Sequence, residues 1–230
     1  VEVIIVKTPA YLDRLAIYGV DGAHPGGLHL TAKLLRNETI TADTLLLDVG
    51  CGTGQTSAYI GSHYPCKPVA VDISPEMLEK AEKKFAQYHL DIPLIRADVM
   101  NLPFRRNCFD IVLSESVTNF TRIRRTLREY YRVLKPGGIL LEIEATALAP
   151  LTSKEAETVA TLGIQYLPTR DEWRILFQES GFSEIRVLTV QPMSRLGVLP
   201  PEFTRCFPDY TGIMGRYRRK MGYGVYRCQK

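Results

Sequence analysis

Asp48, the alternating glycines Gly50, Gly52 and Gly54, and the carboxylates Asp72 and Asp98 are the residues best suited to ligand chemistry in this chain. Glycine adopts backbone angles closed to other residues and lets a ligand approach the main chain. The spacing is G-x-G-x-G rather than the G-x-G-x-x-G of a dinucleotide turn, whose pyrophosphate rests on a helix N-terminus. A carboxylate just ahead of the glycines repels a pyrophosphate, so Asp48 suits a ligand that carries an ammonium group or another cation. Asp72 follows the turn by roughly 20 residues, the place of an acid that holds ribose hydroxyls. Its carboxylate can accept from both hydroxyls.

These residues need a scaffold of strands that end in loops. Leu45-Leu46-Leu47 runs into Asp48 and the glycines, and a helical pattern follows, which reads as the first strand–turn–helix of an open α/β sheet. Pro68–Asp72 reads as a second buried strand, with Ser74 as N-cap and Pro75 at the first position of the next helix. Met77, Leu78, Ala81 and Phe85 give that helix its buried stripe. Leu94–Val99 is expected as the third strand and Phe109–Ser114 as the fourth, with Asp110 at the end remote from the ligand. Arg122 to Leu134 is an amphipathic helix with Ile123, Leu127, Tyr130, Tyr131 and Leu134 inward and its arginines on a solvated face. Lys135-Pro136-Gly137-Gly138 stops it, and Ile139–Ile143 is the fifth strand.

The flanks are less regular. Residues 8 to 37 read as helical pieces around the Asp21–Gly27 loop, whose glycines and proline forbid regular structure. A loop just ahead of the first strand lies over the ligand cleft, so Tyr11, Tyr18, His24 and His29 are candidates to line it. Ser153–Tyr166 is expected to be helical, and Thr169–Glu172 is a capping box opening a helix to Gly181. Phe182–Val190 is a sixth strand, Met193–Asp209 a long irregular segment, and Tyr223–Cys228 a last strand antiparallel to the sixth. The fold class is α/β: Rossmann-like, doubly wound, a mostly parallel seven-stranded sheet with an antiparallel last strand. One domain spans 1–230, with an N-terminal helical cap over 1–43, a ligand-binding core over 44–145 and an acceptor-side loop and helix over 193–220.

Composition agrees with a soluble globular protein. The chain has 230 residues, 45% hydrophobic and 23% charged, enough for one α/β domain with a full core. A net charge of +4 does not make a nucleic-acid binder. The opening Val1–Val6 lacks the basic start and cleavage site of an export signal and reads as a docked strand or arm. With no apolar run long enough for a bilayer, membrane insertion is not expected. Cys51, Cys66, Cys108, Cys206 and Cys228 form no C-x-x-C pair, which argues against a structural metal site and a disulfide framework and fits a reducing cytoplasm.

Leu47-Asp48-Val49-Gly50-Cys51-Gly52-Thr53-Gly54, Asp72, Asp98-Val99 and the Leu134–Gly138 stop resemble the class I S-adenosylmethionine-dependent methyltransferases, in their small-molecule, quinone-methyltransferase-like branch. The resemblance covers residues 45 to 143, is supported by Trp173 and the Tyr223–Tyr226 ending, and weakens before residue 40 and across 193–220. It implies S-adenosylmethionine as cofactor and a small organic methyl acceptor. It further implies that Asp48 and the main chain of Gly50, Cys51, Gly52 and Gly54 surround the methionine moiety and that Asp72 holds the ribose. Asp98 and Val99 then meet the adenine, with Ile73, Met77 and Tyr18 beside the cofactor. Glu115 and Ser116 border the reacting methyl group, and Glu115 or His24 serves as base or acceptor-positioning group.

The branch is narrowed by what is missing. Amino-methylating nucleic-acid enzymes carry an Asn/Asp-Pro-Pro-aromatic string where this chain has Ser114-Glu115-Ser116-Val117. Cytosine C5 enzymes place a cysteine there, and metal-dependent catechol enzymes an acidic pair with Asn; neither pattern is present. A sensor or partner subunit that binds the cofactor without transfer, and a nicotinamide oxidoreductase, stay open as alternatives, as does the choice between monomer and homodimer.

Overall fold

Strand β1 (Leu46–Val49) is buried along its whole length and lies inside a seven-stranded sheet, third from one edge. The computed structural model describes residues 10–196 and 208–230; the expected Val1–Val6 arm, Cys206 and most of the 193–209 segment fall outside them. Around β1 run β2 (Pro68–Asp72), β3 (Leu94–Arg96), β4 (Phe109–Glu115), β5 (Leu134–Ala147), β6 (Glu184–Pro192) and β7 (Met221–Gln229), in the spatial order β3-β2-β1-β4-β5-β7-β6. The first five are mutually parallel, and β7 is antiparallel to both neighbours. The order reverses between β1 and β4, which is where an open α/β sheet binds ligands, outside the strands' carboxyl ends.

Helices cover both faces. On one face α1 (Ala10–Tyr18), α2 (Gly27–Leu35) and α3 (Gln55–His63) precede α4 (Pro75–Gln87) in the chain, and Leu34, Leu35 and Ile60 pack on Leu46, Ile111 and Leu141. On the other, α5 (Ile123–Val133) and α7 (Arg170–Glu179) bury Leu127, Tyr130, Trp173 and Phe177 against Leu47, Val112 and Tyr226. Between those two helices in sequence lies α6 (Ser153–Ala160), and α8 (Pro208–Arg216) precedes β7. Trp173 is fully buried and stacks on Phe177 at 5.5 Å.

Local signals account for most boundaries. Ser74 Oγ accepts the Met77 N–H at 3.2 Å with Pro75 at the helix start, and Thr169 and Glu172 form the expected capping box. Asp110 accepts the Leu45 N–H at 2.9 Å and pairs with Lys135 at 2.8 Å, far from the ligand end, so its role is structural.

Several expectations are corrected. The third strand ends at Arg96, because Asp98 turns the chain by accepting the Met100 N–H at 2.8 Å. Lys135–Gly138 does not separate helix from strand; it is a bulge inside β5, whose pairing with β4 resumes at Ile111 and Ile139. The helix expected over 153–166 ends at Ala160, and Gly163 at φ +87° turns the chain. The segment expected to be irregular to Asp209 enters helix α8 at Pro208. Arg132 is not part of the solvated face: it pairs with Glu129 and donates to the carbonyls of Phe104 and Leu102 at 2.7 and 2.9 Å, tying down the loop between β3 and β4.

Candidate active site

The glycine turn leaves β1 at its carboxyl end and enters α3. Gly50 takes φ +64°, and a Cβ there would lie 2.4 Å from Val117 Cγ2, so only glycine fits between this side chain and the turn. Gly52, at φ +53°, has nothing within 4 Å of an added Cβ, so its main chain borders open space. Asp72, at the tip of β2, turns back toward it: Oδ2 accepts the Gly52 N–H and Oδ1 the Ser74 N–H, both at 2.9 Å. The adjacent Cys51 N–H donates to the Val71 carbonyl at 2.9 Å.

Three carboxylates meet at this end of the sheet. Asp48 is 2% exposed and accepts from Ser57 on α3. Burial is the main cause that lifts its pKa to about 8, with Glu115 and Asp72 adding repulsion. Burial also raises Asp72, against the opposing pull of its backbone donors. Glu115, at the tip of β4, accepts from Thr31 on α2 and from Thr56 on α3, the latter at 2.7 Å.

His24 completes the group from the loop ahead of α2. Its Nε2 lies 3.5 Å from Glu115 Oε2, and the two side chains are only 6% and 7% exposed. Among the described residues, neither imidazole nitrogen has a hydrogen-bond partner within bonding distance. The same loop is anchored by Asp21, which accepts from Thr53 and from Lys84. Lys80 Nζ holds the end of α1 through the Ile17 carbonyl at 2.8 Å.

The structure brings together Asp48, Gly50, Gly52, Asp72, Glu115 and His24. Cys51 is 9% exposed within the turn, its thiol raised mainly by burial, while Gly54 caps α3 in the left-handed region. Ser116 follows Glu115 at φ +58°, a strained angle for a serine. Ile73 is 59% exposed beside Asp72, Met77 is 9% exposed on α4, and Val99 is buried among the core residues after β3. Tyr18 ends α1 at 58% exposure, and His29 on α2 is exposed. The side chain of Tyr11 lies outside the described residues.

Sequence reasoning missed Thr31, Thr56 and Ser57. Hydroxyls in the first turn of the helix after the glycines were the available signal for Thr56 and Ser57, since they follow Gly54 directly. Thr31 shares a helix with the apolar Leu30, Leu34 and Leu35 and carries no such signal, although it is fully buried and bonded to a carboxylate.

The donor set favours one kind of ligand. Buried carboxylates that repel one another beside a main chain facing open space stabilise a cation and disfavour a pyrophosphate. A sulfonium with an ammonium group, on a nucleoside whose ribose reaches Asp72, fits this cradle. Fold and site together define the class of S-adenosylmethionine-dependent methyltransferases.

Comparison with known proteins gives the same class. A family model described as "Methyltransferase domain" matches residues 47–141. An uncharacterized methyltransferase of Bacillus subtilis (strain 168), YodH, is 36% identical over 231 residues, covering 96% of this chain and 99% of that protein. A demethylmenaquinone methyltransferase of Staphylococcus saprophyticus is 27% identical over 180 residues, covering 67% of this chain and 77% of that protein. Among solved structures, a Haemonchus contortus phosphoethanolamine N-methyltransferase 2 shares the fold at a TM-score of 0.76 and 20% identity, covering 97% of this chain and 58% of that one. The chain belongs to the methyltransferase domain family, whose fold and cofactor are those of the class I S-adenosylmethionine-dependent enzymes. No helix among the described residues is long and apolar enough to cross a membrane.

Proposed function

We propose that the protein methylates a small organic acceptor whose nucleophilic atom is presented to His24 at the tip of β4. The observation that carries this reading is the buried approach of His24 Nε2 to Glu115 Oε2, 3.5 Å, beside the glycine turn. Small-molecule relatives support it: their names indicate a menaquinone precursor and the malonyl group of an acyl-carrier protein as acceptors.

When bound, S-adenosylmethionine supplies a methyl group already activated by its sulfonium for direct displacement. The remaining work is placement, exclusion of water and, for an acidic acceptor, removal of one proton. Asp48 and the main chain from Gly50 to Gly54 hold the methionine end. Asp72 takes the ribose hydroxyls through the lone pairs that its backbone donors leave free. Asp98, Val99, Ile73 and Met77 border the adenine, and Tyr18 closes over the cofactor from α1. Ser116 sets the turn that follows Glu115.

His24 accepts the acceptor's proton on its imidazole, and the carboxylate of Glu115, facing Nε2, stabilises the imidazolium. Thr31 and Thr56 hold that carboxylate in place, so the loop from Asp21 to Gly27 forms one wall of the site and keeps water from it. Residues 10–43 act as the cap, 44–145 as the cofactor core and 193–220 as the acceptor side.

A screen of phenolic, carboxylic and amine acceptors with methyl-labelled S-adenosylmethionine tests the reading. Label transfer to a small acceptor, lost in His24→Gln with S-adenosylhomocysteine binding intact, is expected. Binding of the cofactor with no transfer to any acceptor would favour a sensor or partner-subunit role.

A further inference from the structure

Glu142 and Glu144 stand on one face of β5, both fully buried, and no step of the proposed reaction uses them. A buried carboxylate is costly unless hydrogen-bonded, so each needs a physical reason. Glu144 has one: its Oε1 accepts the N–H groups of both Val117 and Thr118, each at 2.7 Å. Those amides open the short 3-10 turn Thr118–Phe120 that follows Ser116. Ser116, held at φ +58°, donates its own N–H to the Ile143 carbonyl at 2.8 Å.

The contact continues into the cofactor side. Val117 is pressed against Gly50, where a Cβ would fall 2.4 Å from its Cγ2. Carboxylate, paired amides, isopropyl group and glycine main chain thus form an unbroken path from β5 to the turn after β1. Among the described residues, both oxygens of Glu142 and the second oxygen of Glu144 have no hydrogen-bond partner within bonding distance. Two amides meet Glu144, so of the pair it is the one whose charged form the main chain favours.

We propose that Glu144 is a positioning residue of the methyltransferase: its carboxylate fixes the Ser116–Thr118 turn and, through Val117, the Gly50 main chain on which the methionine end of the cofactor rests. The proposal depends on the cofactor placement above. The titratable groups facing the pair are Tyr130 from α5 and Tyr226 and Cys228 from β7, all neutral and all raised by burial. Burial lifts Glu144 to about 7 against the downward pull of the amides from residues 117 to 119.

Amide spectra of the ¹⁵N-labelled protein without ligand, taken from about pH 5.5 to 8.5, read this hold directly. The Val117 and Thr118 amides are expected to move together through one titration, to stop doing so in Glu144→Gln, and to keep doing so in Glu142→Gln. S-adenosylhomocysteine should bind Glu144→Gln roughly tenfold more weakly than the wild type. The proposal is overturned if those amides do not titrate in the wild type, which needs no variant to fold. It is equally overturned if they still titrate in Glu144→Gln, or if that variant binds S-adenosylhomocysteine as the wild type does. Because the spectra are taken without ligand, a wrong cofactor assignment shows separately, as no binding by the wild-type protein.

Discussion

The carboxylates at the glycine turn and those inside β5 are buried alike, yet their surroundings differ in kind. Asp48, Asp72 and Glu115 lie where three parallel strands end, beside a glycine main chain that faces open space. Their protein donors are chiefly hydroxyls and turn amides, and Glu115 and Asp72 both repel charge on Asp48. Glu142 and Glu144 lie on β5 between β4 and β7, fully buried on the face covered by α5 and α7. Charge at the first place is held for a cation that arrives from solution. Charge at the second is spent on backbone amides of this chain. Burial alone therefore does not identify a functional acid; what borders it does.

That contrast can be broken by substitution. The largest effect is expected for His24→Gln, about 10²–10⁴ in turnover if His24 is the base, with S-adenosylhomocysteine affinity unchanged. A loss of both together would make His24 a cap-docking residue. Next comes Asp72→Asn, which removes charge-assisted bonds worth ~1.5–3 kcal/mol each, so calorimetry should show cofactor affinity falling by tenfold or more. Glu142→Gln in the same titration should bind as the wild type; an equal loss would erase the distinction between the two places.

A smaller effect is the pH dependence of the ligand-free protein. Asp48 and Glu144 have folded-state pKa values raised to about 8 and about 7, above those of the unfolded chain. Raised carboxyl groups stabilise the fold fully below the unfolded pKa and lose that contribution as pH rises through the folded value. Melting temperature should therefore fall as pH rises from about 4 to about 8. Asp48→Asn should flatten the upper part of that fall, and an unchanged slope would show that Asp48 is ionised without a ligand. The smallest effect is expected from Arg128→Ala on the exposed face of α5, within about 0.5 kcal/mol of wild-type stability by denaturant titration.

The cofactor half of the fold was legible because each strand there ends in a short, chemically marked loop. An apolar run, a glycine turn and an acid two dozen positions on leave little choice of fold. His24 and Glu115 were readable as candidates by type and place, but their approach was not, because it depends on how the Asp21–Gly27 loop folds over β4. Thr31 was hidden for the same reason. The second half was harder. The bulge at Lys135–Gly138 looks in sequence like a loop, and only pairing with β4 makes it part of a strand. Glu142 and Glu144 alternate with Leu141, Ile143 and Ala145, which in isolation reads as a strand with one wet face. That face is sealed by α5, just ahead of the strand, together with α7 and β7 later in the chain, and the alternation alone does not show that they fold over it.

The most direct test of the central claim, that the glycine-turn carboxylates hold charge for a cationic ligand, is calorimetric titration with S-adenosylmethionine near pH 7. It is run in two buffers of different ionisation enthalpy. Asp48, raised to about 8, carries its proton in the ligand-free protein at that pH and should lose it to the incoming positive charge. Binding accompanied by net proton release, with no response to NAD, is the predicted result. Binding heats that are the same in both buffers, or no binding of S-adenosylmethionine at all, would contradict it.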